Sequence, residues 1–142
     1  MSGPVCSCAG AKPEAPVRIA TKCIEIDLQK GPTPFDKYLL WALNQVAVAS
    51  ISQMGGRFRK EPVYVGNHIP PHFNEVDILI DQLIVTVQEN WGTWSATELA
   101  AYCLWRLNWI HPLVDRNGQT ARPVCYFQLC FRNGQDSGLK TR

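Results

Sequence analysis

Residues Ser95–Arg122 read SATELAAYCLWRLNWIHPLVDRNGQTAR: one whole helix, a short turn and the opening of a second helix. Ser95-Ala96-Thr97-Glu98 is a capping box, in which the Ser95 hydroxyl and the Glu98 carboxylate satisfy each other's backbone N–H groups. The helix it starts buries Leu99, Cys103, Leu107 and Ile110, spaced four, four and three apart as one helical face requires. His111 closes that helix, and a last helix follows Gly118 and runs towards Cys130. Between them lies HPLVDRNGQTAR (His111–Arg122), which gathers a histidine, a carboxylate four residues on, an Asn-Gly turn and an arginine. A neutral histidine accepts a proton from a hydroxyl near pH 7. A carboxylate holds Mg²⁺, which binds through one or two carboxylates plus substrate phosphates. A helix start presents unpaired N–H groups to an anion, and arginine adds a forked cation for phosphate oxygens. The stretch therefore predicts a phosphate site.

Two further helices are predicted upstream. Thr33-Pro34 reads as an N-cap and first helical residue, with Asp36 in the first turn. That helix carries Leu39, Leu40, Leu43, Val46, Ala47 and Ile51 and ends at Gly55-Gly56. Pro70-Pro71 blocks any helix across residues 68–71, after which Asn74 caps a helix with Val76, Leu79, Ile80, Leu83, Ile84 and Val87 as its stripe. Trp91-Gly92 ends it. Between these helices Arg57 to Gly66 alternates like a hairpin, with Pro62 suited to an edge or turn. The expected class is all-α, a helical bundle with one small β-hairpin.

Composition narrows the function. At 142 residues and a net charge of +2, the chain has room for one domain and no basic stripe of the kind that binds nucleic acid. No apolar run approaches the roughly 18 residues of a membrane span. The N-terminus lacks the pattern of a signal peptide, so a cytoplasmic setting is expected. Cys103, Cys125 and Cys130 fall in apolar helical contexts and read as small hydrophobes rather than disulfide partners. Cys6 and Cys8 are too isolated for a local zinc site.

His111–Arg122 resembles the signature of the Fic family, H-P-F-x-D/E-G-N-G-R-x-x-R. GRFRKEPVYVGNHIPPHFNEV (Gly56–Val76) is similar to that family's target-binding flap, and ELAAYCLWRLNWIHP (Glu98–Pro112) to the helix that delivers the histidine. The likeness covers roughly residues 35–134, in three pieces in the right order, and is strongest to Fic protein adenylyltransferases. It divides the chain into a tail over 1–32, a Fic-type domain over 33–134 and a second tail over 135–142. It implies a Fic-type helical bundle that moves AMP from Mg-ATP, or another nucleoside triphosphate, to a Ser, Thr or Tyr hydroxyl of a target protein. His111 would be the base and Asp115 the Mg²⁺ ligand. Asn117 and the backbone around Gly118 would form the anion hole, with Arg122 on the outer phosphates. The flap, Val63, Tyr64, Val65, Gly66, Asn67 and His68, would line the nucleotide and hold the target as an added strand. The related Doc phosphotransferases carry lysine where this chain has Gly118, so phosphoryl transfer is not implied.

Departures from the signature matter as much. Leu113 replaces phenylalanine, a buried exchange. Gln119 replaces an arginine, trading a charge-assisted contact of about 1.5–3 kcal/mol for a neutral one. Arg116 replaces the first glycine of the turn, where φ > 0 would cost an arginine about 1–2 kcal/mol; its guanidinium is expected to restore charge missing at Gln119. Pro123 lies inside the last helix, where proline removes a hydrogen bond. These departures leave a second reading open, a catalytically weak or inactive domain that acts as a protein-binding module. Thr21-Lys22-Cys23-Ile24-Glu25 has the first five positions of an inhibitory S/T-x-x-x-E-G/N helix but Ile26 breaks the sixth, so it reads as an ordinary surface helix or strand, and any inhibitor would have to be a separate protein. His68 and His72 are kept off one helix face by prolines, so a zinc pair is not expected. Trp91, Trp94, Trp105 and Trp109 read as core and helix-junction packing, and Arg57, Arg59 and Lys60 as a solvated hairpin edge.

Overall fold

The structure, a computed structural model, describes residues 36–51, 53 and 55–136. The expectations for Thr33-Pro34, for Thr21–Glu25 and for Cys6, Cys8 and Cys23 lie outside those residues. Among the described residues are four α-helices: α1 (Lys37–Val48), α2 (Val76–Glu89), α3 (Ala96–Ile110) and α4 (Asn117–Asp136), with a 3-10 turn at Phe73–Glu75 before α2. No helix among them is long and apolar enough to cross a membrane.

The helices pack as an all-α bundle because each offers an apolar stripe at helical spacing. Leu99, Cys103, Leu107 and Ile110 of α3 are buried, as the spacing predicts. They meet Ala121, Val124, Phe127 and Phe131 of α4 in one core, which Ile80 and Leu83 of α2 and Leu40 and Leu43 of α1 complete. Burying each large side chain contributes about 1.5–3 kcal/mol. α4 packs most extensively on α3 and next on α1, so it is the central helix and its N-terminus is fixed by both neighbours.

The helix ends differ from the sequence reading in four places. Asp36 is the observed cap of α1, accepting from the Leu39 N–H at 3.0 Å. α1 stops at Val48, well short of Gly55-Gly56. Those glycines instead let the returning chain press on α1: a Cβ on Gly55 would lie 2.2 Å from Val48 Cγ2, and Gly56 has φ +75. Ahead of α2, His72 caps the 3-10 turn: its ring accepts from the Asn74 N–H at 3.2 Å and Glu75 reaches back to its backbone at 3.2 Å, while α2 itself starts from Glu75 with no side-chain cap rather than from Asn74. The Ser95–Glu98 capping box of α3 forms as predicted. α4 begins at Asn117, continues to Asp136 and holds Pro123 in its interior.

The hairpin contracts. The described residues hold two isolated bridges, Phe58 with Leu113 and Val65 with His68. Val65 and His68 exchange backbone bonds of 3.0 and 2.9 Å around Gly66, at φ 58. The segment from Arg57 to Val63 pairs elsewhere: Pro62 has no N–H to give, and the Arg59 N–H goes to the Pro112 carbonyl at 2.8 Å.

Candidate active site

α3 ends at His111 in the left-handed conformation, φ 51 and ψ 60, while its N–H still bonds the Leu107 carbonyl at 2.9 Å. A side chain in that region costs about 1–2 kcal/mol, which is why glycine usually fills such a position. Arg116, at φ 61, is the other non-glycine residue with positive φ among those described. The two bracket the loop between α3 and α4. Strain of this kind persists only where the surroundings over-determine the backbone, and here side chains from α1, α4 and the flap segment do so.

Asn117 folds under the loop, its Oδ1 accepting from the Leu113 N–H at 2.8 Å and its Nδ2 donating to the Leu113 carbonyl at 2.9 Å. Both polar ends of that buried side chain are thus used on the loop itself. Asn44 reaches in from α1 and donates to the Asp115 carbonyl at 2.9 Å and to Thr120 Oγ1 at 3.3 Å. Its own Oδ1 accepts from the Gly56 N–H at 3.0 Å. Arg59 is 3% exposed, so the solvated edge expected for Arg57, Arg59 and Lys60 is corrected at its middle member. Its Nε donates to the His111 carbonyl at 2.7 Å, and Nη2 to Ile110 at 3.2 Å. Asn44 and Arg59 were absent from the sequence-based site. Asn44 had a signal, a polar residue four after Leu40 on the buried face of α1; Arg59 had none.

The remaining predicted residues gather at this loop. Asp115 is exposed, with Oδ1 accepting from the Arg116 N–H at 2.7 Å. The first bond of α4 runs from the Thr120 N–H to the Arg116 carbonyl at 3.0 Å, so the N–H groups of Asn117, Gly118 and Gln119 precede the intrahelical ladder. Arg122 is exposed and folds back over this end: a methyl on Gly118 would come within 3.3 Å of its Nη1. Arg116 Nε is buried and has no acceptor. Leu113 is buried, 1% exposed, as expected of the phenylalanine replacement. The site is therefore a turn with cations on both sides, one exposed carboxylate and a histidine at its edge.

The flap joins the same end of α3. His68 Nε2 lies 2.9 Å from the Trp109 carbonyl, two residues before His111. Tyr64, Val65, Gly66 and Asn67 are exposed and Val63 is half-buried. Trp91 and Trp94 pack against the core as expected. Trp105 and Trp109 do not: they are 57% and 38% exposed, and the Arg106 guanidinium lies 5.3 and 4.8 Å from their ring centres. That stacking keeps the apolar rings in place outside the core.

The His111 imidazole is half-buried and held below the ordinary histidine value. Burial is the main cause, and the Arg59 and His68 charges add to it against a hydrogen bond from the ring to the Asn108 carbonyl. With one ring nitrogen turned to that carbonyl, a neutral ring keeps the other nitrogen as an acceptor. Any reaction that needs this acceptor should gain rate with rising pH through a midpoint below about 6.5 and be flat at neutrality. A pH–rate profile checks this. In that acid window the unfolded chain binds more protons at this site than the folded one, so His111 also makes stability fall as pH drops below about 6.5.

For a divalent cation, Asp115 offers a fitting donor. The bond to Arg116 occupies one of its several lone-pair positions. No group of three or more His, Cys, Asp or Glu side chains able to hold a metal occurs among the described residues. A cation here would take its other ligands from substrate and water, as Mg²⁺ does.

The sequence profile of the Fic/DOC family matches residues 34–129. The chain is 36% identical over 69 residues to the protein adenylyltransferase Fic of Drosophila persimilis, and 39% identical to that of Drosophila sechellia. In both, the match spans 48% of this chain and 14% of the relative's length. In fold, it is similar to a Fic domain containing signalling protein from Bacteroides thetaiotaomicron, with a TM-score of 0.69 and 23% identity over 84% of this chain and 47% of that one. Fic-1 from C. elegans gives a TM-score of 0.70 and 19% identity over 89% of this chain and 39% of that one.

Proposed function

This chain belongs to the Fic/DOC family, and we propose that it is a protein nucleotidyltransferase that moves AMP from ATP, or another nucleoside monophosphate from its triphosphate, to a target hydroxyl. The observation that carries the reading is the strained histidine. His111 sits in the left-handed region at the end of α3, φ 51, beside a turn whose helix-start N–H groups suit phosphate.

In the proposed reaction the bare nitrogen of His111 takes the proton of a Ser, Thr or Tyr hydroxyl on the target. The freed oxygen attacks the α-phosphorus, the bond to the bridging oxygen of the β-phosphate breaks, and pyrophosphate leaves. The N–H groups of Gly118 and Gln119 face the developing charge at the start of α4, and Arg122 takes the outer phosphates. Asn117 serves mainly by shaping the turn, since its side chain is spent on Leu113. Arg116 Nε, a buried donor without an acceptor, is suited to a phosphate oxygen and offsets the neutral Gln119. Asp115 would hold Mg²⁺, which when bound neutralises phosphate charge and aligns the leaving group. The flap from Val63 to His68 would receive an extended segment of the target protein.

Gln119 also favours a second reading. With a neutral amide where the family signature has arginine, the domain would turn over slowly and act mainly as a protein-binding module through its flap. Intact-mass spectrometry separates the two. Incubated with Mg²⁺ and each nucleoside triphosphate, the chain or an added protein should gain one nucleoside monophosphate, and a chelator should abolish the gain. Absence of any adduct with all four triphosphates would leave only the binding role.

A further inference from the structure

We propose that Arg59 is a positioning residue, a single buried guanidinium that sets the backbone of His111 and ties both ends of the flap to it. The inference rests on the reading of His111 as the base and adds a residue to which that reading assigns nothing. Four backbone carbonyls converge on Arg59. Two belong to the end of α3, Ile110 at 3.2 Å and His111 at 2.7 Å. The other two stand at either end of the flap, Glu61 at 3.2 Å from Nη1 and Pro71 at 2.6 Å from Nη2. The backbone of Arg59 adds a fifth tie, its N–H to the Pro112 carbonyl at 2.8 Å.

A charge this deeply buried is ordinarily paired with a carboxylate. Among the described residues Arg59 makes no salt bridge, in contrast to Lys37, which pairs with Asp77 and Asp81 at 2.8 Å. The negative end of the α3 dipole and the orphan carbonyls of its last turn take the carboxylate's place. The planar fork matters here. Adjacent N–H groups in one rigid plane can fix the Ile110 and His111 carbonyls together, and those two carbonyls orient the peptide planes on either side of the His111 Cα. Without that grip the His111 carbonyl loses its partner, and relaxation of His111 out of the left-handed region would carry the ring away from the turn.

The test compares Arg59→Lys and Arg59→Gln in the full chain. Lysine keeps the charge and loses the fork; glutamine loses both. Each should lower kcat about tenfold or more, because small misplacements of a reacting group are costly. Nucleotide Kd should stay within about twofold, since the phosphate-contacting groups are untouched. A folded variant with wild-type kcat, or one whose nucleotide affinity falls in step with kcat, overturns the proposal. NMR of the unaltered chain gives a measurement that needs no variant to fold and no activity. The Arg59 Nε proton should exchange slowly and couple to the His111 carbonyl, whereas exchange as fast as that of exposed Arg122 overturns the proposal. If the wild-type chain transfers no nucleotide, the role of His111 as a base fails, and the NMR result still decides whether Arg59 holds it.

Discussion

Replacing His111 by asparagine should lower nucleotide transfer by about 10²–10⁴-fold, the range expected when a positioned base is lost, while nucleotide binding persists. Asparagine is the informative choice because of the backbone. His111 occupies φ 51 and ψ 60, a region asparagine tolerates better than most side chains. Alanine would add a backbone penalty to the loss of the ring, and an inactive alanine variant could reflect a rearranged turn. Asparagine keeps the turn and removes the basic ring nitrogen. The groups proposed to face phosphate, Arg122 and the N–H groups at the start of α4, are untouched, so the loss should fall on kcat. Single-turnover transfer followed by intact mass, with nucleotide Kd beside it, checks the split. A His111→Asn chain with wild-type turnover would falsify the assignment of the base.

The second large effect is on stability. Asn44→Leu should destabilise the chain by about 2–4 kcal/mol, because each buried polar group left without a partner costs about 1–3 kcal/mol. Asn44 is 1% exposed, and its removal strands the Asp115 carbonyl at 2.9 Å and the Gly56 N–H at 3.0 Å. The leucine also brings a branched hydrocarbon to an amide-shaped space between α1 and the loop. Chemical denaturation reads the result as a lower midpoint at unchanged slope. Asn44→Asp separates the two halves of the amide: it keeps an acceptor for Gly56, loses the donor to Asp115 and Thr120, and brings a negative charge against the Asp115 carbonyl. A leucine variant as stable as the parent would mean that the loop is held without α1.

Much of the bundle was legible because its signals are local. The Ser95–Glu98 box and the spacing of Leu99, Cys103, Leu107 and Ile110 need no distant partner to be read. At Arg116 the family signature, with glycine there, raised positive φ as a condition, and φ is 61. Helix ends were harder, because competing caps sit close together. Asp36, read as a first-turn residue, is the observed cap of α1; α2 starts from Glu75 behind a turn capped by His72, where Asn74 had been favoured; and Gly55 proved to be a packing point against Val48 rather than part of a stop. Long-range hydrogen bonds were least legible. The partners of Arg59 include residues 51 and 52 positions away, and nothing in RFRKE marks which of three cations turns inward. Trp105 and Trp109 misled for a related reason: Arg106 stacks over both rings and makes an outward position tolerable.

The loop from Ile110 to Arg116 is gripped by its main chain. Arg59 holds the carbonyls of Ile110 and His111, Asn44 that of Asp115, Thr120 that of Arg116 at 2.9 Å, and Asn117 both polar backbone groups of Leu113. None of these bonds consults the side chain of Val114, Arg116 or Gln119. Shape and selectivity are thereby uncoupled. Positions 114 and 119 can change without breaking any of these bonds, and 116 among residues that accept a left-handed backbone, so the chemistry presented at this end of α4 can be retuned without refolding the cradle beneath it.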